Sequence, residues 1–515
     1  MQEFLSRTPV FMSLLALLVL ATLGLVILAP AIAVLPMVLA AVLYWLCQQP
    51  VRTLTLGLFA LAVTVDLVPE VPYEGKWQSP LYFPGKLLYL NLSNVIGVPG
   101  LGFPLLDIAI LGILALYMYR RANGITIDPP TLSLPKPLVV GLLILPATIA
   151  WMQVYGIYIN GGNSRVAQWQ WHQMGVLPLM VALFNVAIRG PEDYRVIGRI
   201  IVTGCCTKAF LGAWFVVMIA RPQGLYFEYA TTHSDSILYV TGLACVIMSW
   251  VQDPSPQHFK RMLWVCAIIF MGMHYNDRRL GYVSFQFSLM FAYFLSPWND
   301  LKVKLTRLVL LALPVLPFYI AAGWQNPTGI FGPVGIFKSV LEGENLAKGQ
   351  MDYRDIENLD VIHTWEARPI LGTGWGHEFD EVIPLPDISH AFADYRYHPH
   401  NSVLGMFAFG GAVGFSGLWT WISIAVFLTV RAFRNTLDPQ LRAGGLVALS
   451  VYVAYTNQCF GDMGSISWLG SVLIAMAAAC AGKLATLTGA WPSPQRQFVR
   501  RAETRNSSNP VESPV

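Results

Sequence analysis

The 515 residues are 55% hydrophobic and only 12% charged, with a net charge of +4. A soluble protein carries about a quarter of its residues as Asp, Glu, Lys and Arg, so this chain is built for another solvent. The small, scattered positive charge also argues against nucleic acid as a partner, and in such a chain Lys and Arg instead report orientation across a membrane.

Taken in order, apolar runs of the length that crosses a hydrocarbon core of about 30 Å fall near 10–29, 31–47, 52–68, 104–119, 137–155, 174–188, 196–220, 236–252, 260–274, 280–296, 305–323, 401–430, 443–459 and 465–485. They predict an all-α, polytopic integral membrane protein of about 12–14 transmembrane helices. The first run, from Val10 to Ala29, is longer than a signal-peptide core and reads as a spanning helix. The segment from about Trp491, with Arg496, Arg500, Arg501 and Arg505 followed by Ser, Asn and Pro, reads as a disordered cytoplasmic tail. All seven cysteines lie in or beside apolar runs and read as small hydrophobes, with no disulfide framework or zinc site expected.

With that tail inside, strict alternation puts Arg431, Arg434 and Arg442 inside too. Lys302, Lys304 and Arg307 follow, then Lys260 and Arg261, then Arg189, Arg195 and Arg199, then Arg120, Arg121 and Lys136. Both termini are then expected to be cytoplasmic. Four loops fall on the opposite side, near 69–103, 156–173, 221–235 and 324–400, together with eight of the nine histidines, all but His258. The last loop is too long for a simple connection, and its stretch Ile356 to Trp365 predicts short helices within it.

That loop ends in Tyr397-His398-Pro399-His400-Asn401-Ser402, followed by an apolar run containing Gly410-Gly411 and Gly414. Asn401 or Ser402 can cap the new helix, which sets His400 at a helix start where backbone N–H groups favour anions. Glycines one turn apart admit a close helix neighbour. On these residues alone, His400 reads either as a chemical group or as an anchor for an interfacial helix. A second element, Asn276-Asp277-Arg278-Arg279-Leu280-Gly281, brings two arginines into a membrane helix on the side where topology does not ask for them. Guanidinium forks suit phosphate. A third runs from Tyr353-Arg354-Asp355 to Trp365-Glu366-Ala367-Arg368-Pro369 and on through Gly372, Gly374 and Gly376, where a turn beneath the long loop is expected.

His400-Asn401, nine residues, then Gly411-x-x-Gly414 resembles the His-Asn-x9-Gly-x-x-Gly signature of the O-antigen ligase superfamily, which includes O-antigen and exopolysaccharide polymerases. Arg279 is similar in place to that family's arginine at the outer end of a spanning helix, and Arg354 to its second functional arginine. Pro369 to Gly374 looks like its Pro-hydrophobic-Gly-x-Gly segment. The spacing after Arg279 departs from the family's Arg-x-x-x-Leu, since position 283 is Val, and this leaves Arg278 and Arg279 both in play.

The resemblance implies a GT-C-like membrane glycosyltransferase. Its N-terminal transmembrane region would be 1–259, its ligase-like region 260–485 with periplasmic loop 324–400, and its tail 486–515. It would work in the bacterial inner membrane, in lipopolysaccharide O-antigen or exopolysaccharide assembly. The donor would be an undecaprenyl-diphosphate-linked glycan, and the acceptor a glycan or lipid A-core hydroxyl. No cofactor or metal is implied. His400 would act as base, Arg279 and Arg354 as diphosphate clamps, and Arg278, Asn401, Arg165, Arg368 and His398 as substrate contacts. Asp66 and Asp107 are expected only to pair with basic groups. Two other classes stay open: a polytopic transporter, and a metal enzyme drawing on His398, His400, His390, Asp387 and Asp394.

Overall fold

A computed structural model describes residues 16–20, 22–23, 35–65, 81–97, 102–224, 230–252, 254–298, 300–326, 329–335, 338, 353–389 and 392–491. Most of the expected first span, Asp66, His390 and the expected tail from 492 onward lie outside them.

The described residues fold into helices without strands. The first half holds α1 (Leu35–Leu46), α2 (Val51–Thr64), α3 (Tyr82–Tyr89), α4 (Leu92–Ile96), α5 (Leu105–Ala122), α6 (Lys136–Val154), α7 (Ser164–Ala187) and α8 (Pro191–Trp214). The second half holds α9 (Asp235–Gln252), α10 (Pro256–Asn276), α11 (Arg279–Leu295), α12 (Asp300–Ala312), α13 (Leu316–Gln325), α14 (Tyr353–Ala367), α15 (Ser402–Asn435), α16 (Pro439–Gly461) and α17 (Trp468–Leu487). Alpha-helices suit a membrane because every backbone polar group inside the span is satisfied within its own segment.

Helix α17 is apolar apart from Ser471, Lys483 and Thr486, and is buried from Trp468 to Thr486. A helix with so small a polar content belongs in the middle, and α7, α15 and α16 pack around it. Helix α16 also carries α9 and α11, and α6 lies along α15.

Among the described residues, four segments are long and apolar enough to cross a membrane: Lys136–Ile159, Pro191–Gln223, Ser402–Asn435 and Trp468–Leu487. The pair Lys302–Ala312 and Leu316–Gln325, bent by 56°, would make a fifth. Other runs read from the sequence form helices that are shorter or that open on polar residues. Val51–Thr64 and α9 are apolar but short, while α7 opens on Arg165, Gln168, Gln170 and His172, and α10 on His258, Lys260 and Arg261. The protein is a multi-pass membrane protein in which uniformly apolar helices alternate with shorter or polar-ended ones.

The connecting segments gather at two ends. At one, Arg120 donates to the carbonyls of Cys47 and Gln49, Arg52 pairs with Asp193, Gln440 donates to the Pro191 carbonyl, and Lys483 to the Leu132 carbonyl. Arg120, Arg121, Lys136, Arg189 and Arg442, five of the charges expected on one face, lie in or beside these segments. At the other end, Asn160 donates to Thr373, Ser234 and Ser467 share a hydrogen bond, and the backbone of Met463 donates to His400.

Candidate active site at one end of the bundle

Helix α15 is broken near its start. Gly411 has φ 58° and ψ −166°, a left-handed backbone that ends the regular ladder. A break leaves carbonyls before it and N–H groups after it without partners. The strap 369–374, which begins as a turn, supplies them. Thr373 and Gly374 donate to Ala408 and Phe409 at 3.1 and 2.8 Å, while Ala412 and Val413 donate to Pro369 and Ile370 at 2.9 and 3.1 Å. A Cβ on Gly411 would fall 2.3 Å from the Ile370 carbonyl, so the strap fits only against glycine. Gly410 and Gly414 play the expected part, taking Met152 of α6 against a bare backbone. The strap's other face rests on α6 and its continuation, with Trp375 donating to the Met152 carbonyl at 3.2 Å. The turn expected beneath the long loop is this strap.

That clamp fixes the start of α15 and His400 before it. Asn401 is the cap: its side-chain oxygen accepts from the Leu404 N–H at 3.1 Å, and the residue is buried. The anion at this helix start comes from the protein itself. Glu357 of α14, buried to 1%, accepts the His400 N–H at 2.9 Å and has its two oxygens 3.0 and 3.1 Å from His400 Nδ1. The Tyr353 ring meets the imidazole edge-on, 5.8 Å between centroids. Burial and the neighbouring Glu357 charge push the Tyr353 phenol well above its ordinary value, so it stays neutral.

Arg354, three residues before Glu357 and on the same helix face, points to a second cluster. Its Nη1 donates to the Gly461 carbonyl at 3.1 Å, and its Nη2 lies 3.6 Å from Asp462. Arg278 lies 3.5 Å from the same carboxylate, which also pairs with His233 Nδ1. Arg278 Nη2 lies 3.0 Å from His233 Nε2. Burial pushes the Asp462 carboxyl up, but the hydrogen bond and charge of His233, with Arg278 and Arg354, hold it below the usual carboxylate range. Two non-glycine residues, Asp277 at φ 46° and Met463 at φ 51°, adopt the left-handed backbone beside Arg278 and Asp462. Met463 N–H then reaches the His400 carbonyl at 2.6 Å, tying the two clusters together.

The structure separates the other expected residues. Arg278 is buried at the cap position of α11, while Arg279 opens the helix on the exposed side. Arg165 is exposed in the first turn of α7, and Arg368 is exposed just after α14. His398 is buried, its Nδ1 3.3 Å from the Asp394 carbonyl, and lines a small cavity with Gln170, Tyr397, Ser402 and Ser465. Burial pushes its pKa down, against hydrogen bonds to the Asp394 and Trp169 carbonyls. Asp107 pairs with His172 at 2.7 Å, as expected of a buried acid. Among the described residues, no three His, Cys, Asp or Glu side chains are placed to hold a metal ion.

Sequence reasoning missed Glu357, Asp462 and the pairing of His233. Only Asp462 carried a local signal, as an acid between two apolar runs on the histidine-rich face.

An all-helical membrane protein with a histidine–carboxylate pair and converging arginines at one end defines the class. Residues 264–419 match the family model described as O-antigen ligase, and the match supports the O-antigen ligase superfamily. Arg278, Arg354, Glu357 and His400 fall inside that segment, His233 and Asp462 outside it. The match points to a membrane enzyme of the O-antigen ligase or polymerase type, with lipid-linked glycan and polysaccharide partners. No curated protein matches the chain.

Proposed function

We propose that this protein transfers a glycan from an undecaprenyl-diphosphate carrier to a sugar hydroxyl, at the periplasmic face of a bacterial inner membrane. The observation that carries the reading is α14, which sets Glu357 against His400 and Arg354 toward Arg278 and Asp462. One short helix thus joins a proton acceptor to an anion-binding group.

The reaction needs both. The leaving diphosphate gathers charge as its bond to the anomeric carbon breaks, and preorganised guanidinium groups stabilise that charge without a metal. Arg354 and Arg278 face the shared carboxylate, with Arg279 at the rim beside them. The acceptor hydroxyl must lose its proton as it attacks, which is the role of His400. A direct displacement inverts the anomeric configuration. Asn401 and His398 hold the backbone on which His400 stands, and exposed Arg165 and Arg368 are left to meet the glycan or the diphosphate rim.

The test is purified protein in lipid vesicles with a diphosphate-linked oligosaccharide donor and a glycan acceptor. Wild-type protein transfers and normally inserted His400→Ala does not; equal rates would remove His400 from the chemistry. Activity should survive exhaustive chelation, and stoichiometric zinc or manganese in active protein would overturn the metal-free clamp. Deleting the gene identifies the acceptor. Single repeats accumulating on carrier mean a polymerase, and long chains on carrier mean a ligase acting on lipid A-core.

A further inference from the structure

The two nitrogens of His400 have different surroundings. Nδ1 lies 3.0 and 3.1 Å from the Glu357 oxygens, while Nε2 has no protein hydrogen-bond partner among the described residues. The imidazole is about one-fifth exposed (22%), and the carboxylate is buried to 1%. An ionised carboxylate only accepts hydrogen bonds, and this one already accepts the His400 N–H at 2.9 Å. Its burial keeps water from competing for those oxygens. The nitrogen that faces Glu357 therefore carries the proton, and the other nitrogen carries the lone pair.

We propose that Glu357 is the positioning residue of the transfer: it fixes His400 as the Nδ1–H tautomer and turns the Nε2 lone pair toward the acceptor hydroxyl. This rests on the reading of His400 as the base. The acceptor oxygen forms its bond to the anomeric carbon as the bond from that carbon to the diphosphate oxygen breaks. The electron pair of the broken bond leaves with the diphosphate, and the hydroxyl proton passes to Nε2. The resulting imidazolium donates through Nδ1 to Glu357, so the positive charge forms next to a fixed negative one. The same carboxylate anchors the backbone N–H, which prevents the ring and the chain from turning independently. Arg354, three residues away on α14, binds the leaving group in register with the base.

Glu357→Gln is the first test, because an amide can offer its N–H to Nδ1 and select the wrong tautomer. Expected is a fall in kcat of about a hundredfold or more with donor KM unchanged, as loss of tautomer control does in histidine-based catalysis. Glu357→Asp should restore part of the loss. A Glu357→Gln enzyme with wild-type kcat overturns the inference, while inactive His400→Ala would still leave the glycosyl-transfer reading standing. A fully active His400→Ala would sink both.

If Glu357→Gln no longer binds donor, two other variants decide. His400→Asn keeps an amide where Nδ1 stands, and His400→Gln places one near Nε2. Expected is a wild-type melting temperature for His400→Asn and a lower one for His400→Gln, both inactive. The reverse order, or equal melting temperatures, overturns the proposed orientation.

Discussion

Arg120 at one end of the bundle and Arg278 at the other are both buried arginines, held in opposite ways. Arg120 is closed in: it donates to Asp128 at 2.7 Å and to the carbonyls of Cys47 and Gln49 at 2.8 and 2.9 Å, and Asp128 accepts the Val51 N–H with its other oxygen. Arg278 shares the Asp462 carboxylate with Arg354 and His233, its guanidinium 3.5 Å from Asp462 and that of Arg354 at 3.6 Å. Arg354 is also half exposed, with 48% of its side chain open to solvent. A pair with matched donors and acceptors fixes loops and gains nothing from another anion. A guanidinium half open to solvent, as Arg354 is, remains available to a phosphate that arrives from outside.

The difference predicts two kinds of damage. Arg354→Ala and Arg278→Ala should lower glycan transfer by about a hundredfold to a thousandfold, the range seen when one preorganised transition-state donor is removed. The amount of inserted protein should change little for Arg354→Ala, whose side chain is half exposed. Arg279→Ala, at the rim, should cost less than Arg278→Ala. Arg120→Ala should act on folding instead, by about 3–5 kcal/mol, because Asp128 is left buried without its charge partner. Thermal unfolding and kcat measured on the same samples separate the cases. If Arg120→Ala lowered kcat in protein of normal stability, the contrast between the ends would fail.

The helix break offers an intermediate effect. Gly411→Ala should destabilise by about 1–3 kcal/mol, since alanine disfavours φ 58°. Its Cβ would also press on the Ile370 carbonyl and move the strap under His400. Stability and activity should therefore fall together. A stable variant with normal transfer would show that the strap does not set the position of His400.

How much of this was legible follows from what each feature depends on. The membrane class was readable because run length and charge density report the solvent directly. Arg278 and Arg279 stood out because charged groups entering an apolar run are costly, and His400 because it precedes a helix start, whereas Arg354 came only from the family resemblance. The Asn401 cap was local in sequence, and so was visible. Glu357 was not, because its meaning is a contact across 43 residues, and within α14 it looks like any polar residue of a solvated helix. Asp462 shows only that it is acidic, since the groups that lower its pKa arrive from α11, α14 and the segment before α9. Gly411 was read as a place of close helix approach because a glycine needed for its positive φ and one needed for its small size look the same in sequence. The all-helical class was legible from run length as well, and among the described residues four helices, or five with the bent pair, are long and apolar enough to span.

The smallest expected effect comes from His398, two residues from His400 and buried. Burial lowers its pKa below the ordinary histidine value of 6.5, so the folded protein keeps it neutral where the unfolded chain takes up a proton. Between the lowered value and 6.5 the unfolded state binds more protons, and stability therefore falls as pH drops through that window. Above 6.5 both states are neutral and the contribution is flat. Replacing His398 with Asn removes the titration and should flatten this part of the stability profile, although it also loses the hydrogen bond to the Asp394 carbonyl at every pH. The measurement is the melting temperature of wild type and His398→Asn from pH 7.5 down to 5. The gap between the two curves should narrow as the pH falls. A gap that stays constant would mean that His398 takes up its proton equally well in the folded protein, and that its surroundings are wetter and closer to those of exposed Arg354 than to those of Arg120.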